Sequence, residues 1–161
     1  MLKTPDLSDL NPGAQALPFQ FQQFGRRISC QGPIATVACF EDNSRVKEAV
    51  SEPGHGRILL VDGCGSLRRA LTGDLVAASA MENGWAGMVI IGAIRDVEVI
   101  DTFDFAVFAL GTSPIKTEKL GRGERDVALK FEGVDFSVEP GQFLAADTNG
   151  VLINKTPFLT E

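Results

Sequence analysis

Two short stretches of this chain hold residue types suited to gripping a small anion on a metal. Gly73-Asp74 follows the loop G-C-G-S-L-R-R-A-L-T, and Arg95-Asp96 follows the apolar run M-V-I-I-G-A-I. Arginine offers a planar fork of donors that matches a carboxylate, and its charge is permanent. Aspartate offers hard oxygens to a cation such as Mg²⁺, which takes few protein ligands and keeps several waters. A helix beginning at Asp74 adds free backbone N–H groups and a dipole that favours negative charge. The four residues together could hold a keto acid against a divalent cation. Each also has a plainer reading, with Asp74 and Asp96 as helix N-caps and Arg95 paired to a surface carboxylate.

The surrounding pattern predicts the elements that would position these residues. Arg57–Asp62, with its continuous I-L-L-V, reads as a buried strand, and Met88–Ile91 reads as the next one. Asp74–Asn83 is the clearest helix. Leu75, Val76, Ser79 and Ala80 share a small, apolar face, and Gly84 is its stop. Ligands of α/β sheets collect beyond the carboxyl ends of strands. If the two strands are parallel neighbours, both polar segments face one cleft.

The rest of the chain fills in a layered α/β fold. Ile34–Phe40 is a strand, Asp42-Asn43-Ser44 caps a short helix over Arg45–Ser51, and Val97–Phe103 is another short helix before a strand at Phe105–Leu110. From Ile115 the texture becomes antiparallel. Asp126–Phe131 and Val134–Val138 alternate around Glu132-Gly133, and Gln142–Ala145 and Val151–Asn154 flank the turn Asp147-Thr148-Asn149-Gly150. Met1–Gln23, rich in Pro, Gln and Asp, reads as an extended N-terminal arm or a short irregular helix. Parallel βαβ units plus antiparallel hairpins predict a layered α/β domain over residues 1–161, not a doubly wound one.

Composition removes several function classes. The 161 residues carry a net charge of −6, which argues against direct contact with nucleic acid and is compatible with a basic protein partner. No run approaches the length of a membrane-spanning helix and the N-terminus lacks a signal-peptide shape, so a cytoplasmic location and no membrane contact are expected. His55 is the only histidine, in the turn P-G-H-G-R, so a two-histidine metal site is excluded. Cys30, Cys39 and Cys64 form no close pair and read as buried thiols. Gly63-Cys64-Gly65-Ser66-Leu67-Arg68 starts like a dinucleotide fingerprint, but Arg68 stands where that motif needs its third glycine. Arg68-Arg69 reads as solvated or interfacial.

Four blocks in order carry a resemblance: F-G-R-R-I-S-C-Q-G-P-I-A-T-V-A-C-F-E-D-N, G-R-I-L-L-V-D-G-C-G-S-L-R-R-A-L, N-G-W-A-G-M-V-I-I-G-A-I-R-D-V and A-D-T-N-G-V-L-I. From about Thr4 to Ile153 the chain resembles the RraA-like family, which contains the regulator of ribonuclease E activity A and the class II 4-hydroxy-4-methyl-2-oxoglutarate aldolases. The resemblance implies a three-layer β/β/α domain of the swivelling type. It also implies a homotrimer, or a multiple of it, with clefts between neighbouring subunits. By matching motif, Gly73, Asp74, Leu75, Val76 and Arg95 would bind substrate, Arg95 and Asp74 would act in catalysis, and Asp96 would hold Mg²⁺ or Mn²⁺. The implied activity is metal-dependent cleavage of 4-hydroxy-4-methyl-2-oxoglutarate, or a related 4-hydroxy-2-oxo acid, to pyruvate. Oxaloacetate decarboxylation would use the same enolate. The alternative is a non-catalytic ring that binds ribonuclease E and restrains RNA processing. Two departures stand out: Val99 occupies the place of a second acid in the aldolase pattern, with Glu98 and Asp101 near it, and Cys64 interrupts a loop that usually has three glycines. Asp96 is retained, although some regulator-type members lack the metal aspartate.

Overall fold

The computed structural model describes residues 1–161. In chain order its elements are α1 (Thr4–Leu10), β1 (Gln15–Ala16), β2 (Gln22–Phe24), β3 (Cys30–Ala38), α2 (Ser44–Val50), β4 (Ile58–Asp62), β5 (Ala70–Thr72) and α3 (Asp74–Glu82). There follow β6 (Gly87–Ile94), α4 (Val97–Ile100), β7 (Val107–Thr112), β8 (Glu124–Arg125), β9 (Leu129–Lys130), β10 (Ser137–Val138), β11 (Phe143–Asp147) and β12 (Gly150–Asn154).

Strands β3, β4, β6 and β7 lie side by side and parallel. A parallel strand covered on both faces must be apolar on both, which is why these segments read as continuous rather than alternating runs. All eight residues of β6 are buried. Along β4, Leu59 and Val61 face one layer, where Val46, Ala49 and Val50 of α2 and Val76, Ala77 and Ala80 of α3 pack. Ile58 and Leu60 face the other, against Leu129, Val138, Leu144, Val151 and Ile153. The helices therefore share one face and the antiparallel strands cover the second. This is the expected β/β/α layering. β3 joins the two sheets: Cys30–Pro33 pair antiparallel with β11, and Ile34–Ala38 pair parallel with β4.

Four expectations change. The segment 1–23 is no free arm: Leu7 packs on Ala145, Leu152 and Phe158, β1 pairs with β12, and β2, beginning at Gln22, borders β7. A few buried residues suffice to dock it, so little periodicity is visible. The hairpin around Glu132-Gly133 keeps only two residue pairs, Leu129↔Val138 and Lys130↔Ser137, because Val127, Val134 and Phe136 pack onto the core instead of extending a ladder. The helix expected over Val97–Phe103 is the single turn α4. Cys64 is exposed, whereas Cys30 and Cys39 are buried as expected.

Strands β1, β2, β5 and β8 have no sequence counterpart, and of these β5 matters most for the site. Three residues are too few to show a period. Its parallel pairing with the end of β6 joins Ala70 to Ala93 and Thr72 to Ile94. The residues that come next, Gly73 and Arg95, are thereby forced side by side.

Candidate functional site

Asp96 takes a left-handed backbone conformation (φ 58°, ψ 36°) immediately after β6. Aspartate is among the few residues that tolerate this region, at a cost of about 1 kcal/mol. The bend does not make Asp96 a side-chain cap of α4, which has none. Instead the carboxylate turns across to α3, where its Oδ2 accepts the Asp74 N–H at 3.1 Å. Asp74 Oδ1 accepts the Leu75 N–H at 2.9 Å, so Asp74 serves its own first turn and Gly73 is the N-cap. Asp96 thus holds the N-cap position of α4 through its backbone alone while its carboxylate serves α3, whose own N-cap is Gly73 in place of Asp74.

Gly73 is required by that contact. A Cβ placed on it would lie 2.6 Å from Asp96 Oδ2 and 3.6 Å from the Arg95 side chain. Its φ of −118° is open to any residue, so the need is for space and not for a special backbone. Arg95 Nε stands 3.9 Å from Asp96 Oδ2, and both side chains are more than a third exposed. A pair so exposed adds at most about 1 kcal/mol to folding. Stability is a weak reason for placing these charges together, whereas access from solvent suits ligand binding. Arg95 is steadied from behind by its N–H donating to Thr72 O at 2.9 Å and by Nη1 donating to Pro114 O at 3.4 Å.

These groups line a cavity of about 110 Å³. Gly73, Asp74, Leu75, Val76, Arg95 and Asp96, all singled out from sequence, border it together. Leu75 is 80% exposed at the mouth of the cavity. The sequence reading missed Asn43, Lys47, Lys116 and Lys119, which complete the wall. They come from α2 and from the segment after β7, and no local pattern joins them. Lys119 is pushed below its ordinary pKa, first by burial and then by repulsion from Lys47, Lys116 and Arg95. A larger cavity of about 460 Å³ near Gln15, Asp135 and Lys155 has no arginine–aspartate pair; its size does not outweigh the chemistry of the smaller one.

Nowhere do three His, Cys, Asp or Glu side chains gather as a metal-binding group. A cation that needs several protein ligands is therefore poorly served. Mg²⁺ and Mn²⁺ fit better, because hard cations of this size hold waters and substrate oxygens beside one or two carboxylates. Asp96 supplies such an oxygen, Asp74 lies next to it, and the bare Cα of Gly73 leaves room there. Asp101, a possible substitute for the absent second acid, accepts the Gly25 N–H at 2.9 Å and is engaged elsewhere. Val99 and Glu98 are exposed on α4.

The glycine loop is not a nucleotide cradle. Gly63–Arg69 leads into strand β5 and not into a helix, so no helix N-terminus follows it to receive a phosphate. Arg68 is committed to Glu41, at 2.7 Å and 2.8 Å. His55 is exposed in its turn, as expected.

Comparison with known proteins bears on the chain as a whole. The family model described as RraA-like, Aldolase/RraA, matches residues 4–153. A protein of Pseudomonas fluorescens (strain SBW25) named "Putative 4-hydroxy-4-methyl-2-oxoglutarate aldolase" is 51% identical over 155 residues, spanning 96% of this chain and 94% of its own. The RNA-processing inhibitor RraA of Thermus thermophilis superposes with a TM-score of 0.93 at 45% identity, over 99% of this chain and 96% of that one. A Geobacillus kaustophilus structure described as an S-adenosylmethionine:2-dimethylmenaquinone methyltransferase gives 0.94 at 43% identity, over 99% of each chain. The names differ while the fold and most of the length agree. With its family model covering nearly the whole sequence, and its layers those of the solved relatives, the chain belongs to the RraA-like family.

Proposed function

We propose that this protein is an aldolase that cleaves 4-hydroxy-4-methyl-2-oxoglutarate, or a related 4-hydroxy-2-oxo acid, to pyruvate, and that it also decarboxylates oxaloacetate. The observation that carries the reading is the contact among Gly73, Asp74 and Asp96, with Arg95 beside it. It already places one carboxylate on the start of α3 within reach of a guanidinium. The names of relatives at about 51% identity support the same class.

In this reading Arg95 donates to the 2-oxo group and to the carboxylate next to it, fixing the plane of the substrate. In the first turn of α3 the Asp74 and Leu75 N–H groups are engaged by Asp96 and Asp74, so the Val76 N–H is the one that would donate to the same carboxylate. A proton leaves the C4 hydroxyl, the C3–C4 bond breaks, and its electron pair moves to the C2 oxygen as pyruvate enolate. Arg95 stabilises the negative charge that develops on that oxygen. Asp74, half-exposed at the cavity, relays the proton through water and returns one to C3. Mg²⁺ or Mn²⁺ held by Asp96 would supply Lewis acidity at the keto oxygen. Loss of carbon dioxide from oxaloacetate generates the same enolate, so the same side chains serve both reactions.

The test is pyruvate release with added Mg²⁺ or Mn²⁺, with and without EDTA, for wild type, Arg95→Ala and Asp96→Ala. Cation-dependent pyruvate from wild type, lost in both variants, is the expected result. No cation-dependent release from either substrate would reject the proposal. The exposed Leu67, Leu75, Val99 and Ile115 lie on or near the segments that form the site, and a homotrimer would cover them. Light scattering should then give three times the chain mass, or a multiple.

A second reading rests on the RraA neighbour at 45% identity and the net charge of −6. An acidic ring would bind the basic regions of ribonuclease E, with an affinity that falls steeply as salt rises. That binding should survive Asp96→Ala, and no association at low salt would rule it out.

A further inference from the structure

The loop Gly63-Cys64-Gly65 takes no part in the Arg95 cavity, yet it borders a larger one. This second cavity holds about 380 Å³, within the range of small-molecule sites, about 300–1,000 Å³. It shares no lining residue with the first. Phe19, Ile91 and Phe131 give it an apolar wall on the antiparallel face of the sheet, away from α2 and α3. Phe19 and Phe131 meet edge to face with ring centres 5.5 Å apart, so packing fixes that wall. The N–H groups of Gly63 and Gly65 both donate to Ile91 O, at 3.0 Å and 3.1 Å. A Cβ on Gly63 would lie 2.8 Å from that oxygen, whereas one on Gly65 would meet nothing within 4 Å. The loop is pressed onto β6 at Gly63 and stands clear of its neighbours by Gly65.

Asp62, the last residue of β4, brings a charge to this apolar wall. It is half-buried, and its Oδ1 accepts the Cys64 N–H at 2.9 Å while its other oxygen has no partner. No arginine or lysine pairs with it. Burial pushes its carboxyl above the ordinary pKa, and the Cys64 N–H pulls only partly the other way. Closing the turn does not explain the charge. An asparagine oxygen would accept the same N–H without the desolvation cost of a carboxylate. Lys130 and Glu132 stand exposed on either side of Phe131, neither in an ion pair, and their charges offset each other. The uncompensated charge of the lining is that of Asp62, the least solvated of the three.

We propose that this cavity is a second ligand site, which takes a small organic cation: an ammonium group carried on an apolar stem. The ammonium donates to the free Asp62 oxygen, and the stem covers Phe19, Ile91 and Phe131. A half-buried carboxylate gains most from a partner that is both charged and a hydrogen-bond donor. The site depends on neither the aldolase nor the regulator reading, since no residue of the Arg95 cavity enters it. Cys64 stands at its edge as a marker and is not a reactant.

The test is calorimetry on the full chain in its native assembly, at fixed ionic strength, with 2-phenylethylamine as the probe. The comparison ligands are 2-phenylethanol, which has the stem without the charge, and methylammonium, which has the charge without the stem. Wild type should bind the amine saturably and about 10- to 100-fold tighter than the alcohol, the range of one charge-assisted hydrogen bond. Methylammonium should bind more weakly than 2-phenylethylamine. Asp62→Asn, which keeps the turn, should bring the amine down to the affinity of the alcohol, with a thermal melt to confirm folding. Treatment with N-ethylmaleimide, which reaches Cys64 and not the buried Cys30 and Cys39, should abolish binding of the amine. Arg95→Ala should bind the amine as wild type does. No saturable binding of the amine, or equal affinity for amine and alcohol, would overturn the proposal. Methylammonium bound as tightly as the amine, or amine binding that survives N-ethylmaleimide or is lost in Arg95→Ala, would overturn it as well. If Asp62→Asn does not fold, the ligand series and the thiol block decide the matter on wild type alone.

Discussion

Replacing Gly73 by alanine isolates the contact on which the proposed chemistry depends. The backbone there, φ −118° and ψ −165°, accepts alanine without strain, so the effect comes from the added methyl group alone. That carbon would meet Asp96 Oδ2 at 2.6 Å, and relief to ordinary contact requires the carboxylate to move by about 0.6–0.8 Å. The hydrogen bond from Asp74 N–H, now 3.1 Å, would stretch beyond useful length. A charged hydrogen bond contributes about 1.5–3 kcal/mol, and exposure of Asp96 reduces this to about 1 kcal/mol. For a chain of this size that is a fall in Tm of about 2–4 °C. Activity should suffer far more, because misplacement approaching 1 Å at a reacting group costs about 10²-fold. The assay is pyruvate release coupled to NADH oxidation by lactate dehydrogenase, alongside a thermal melt. A folded Gly73→Ala protein with kcat/KM within twofold of wild type would refute the argument. A collapse in Tm by tens of degrees would show that the glycine serves the fold instead.

Three further outcomes follow from the same geometry. Thr72 Oγ1 is buried without a hydrogen-bond partner, so Thr72→Val, nearly the same shape, should raise Tm by a few degrees, about 1 kcal/mol; an unchanged or lower Tm would count against it. Burial disfavours the Asp42 carboxylate, but hydrogen bonds from Ser44, Arg122 and Leu120 outweigh burial and bring its pKa down to about 2. Because the folded value is depressed, its stabilisation is present above the ordinary carboxylate range and is lost as pH falls from about 4 toward 2. Asp42→Asn should flatten that part of a stability–pH curve, by on the order of 1 kcal/mol, and an unaltered curve would contradict this account of Asp42. Thiol titration should find one accessible cysteine, Cys64, in the folded protein. Burial pushes Cys30 and Cys39 up to about 12, so they should react only after unfolding, and two fast equivalents would be inconsistent with this packing.

The layered fold was legible because burial on both faces leaves a mark in composition. The continuous runs at Ile58–Val61 and Met88–Ile91 are what a central parallel strand needs, and β4 and β6 are neighbours as expected. The Asp147–Gly150 turn was legible for a local reason, since Asp147 Oδ1 accepts the Asn149 N–H within the turn itself. The docked N-terminal segment was not legible, because α1 is fixed by contacts such as Thr4 Oγ1 to Asp147 Oδ1, 143 positions away.

For the site, the sequence alone determined the residue types: a permanent cation, two carboxylates and a glycine at two strand ends. It also determined the family pattern that they match. Only the tertiary structure decided that β5 and not β4 carries Gly73 to Arg95, that Asp96 turns across to α3, and that three lysines close the rim. The physical reason is range. Residue type and periodicity are set within a few positions along the chain. The pairing of a three-residue strand, and the gathering of like charges from α2 and from the segment after β7, are fixed by what the completed core brings together.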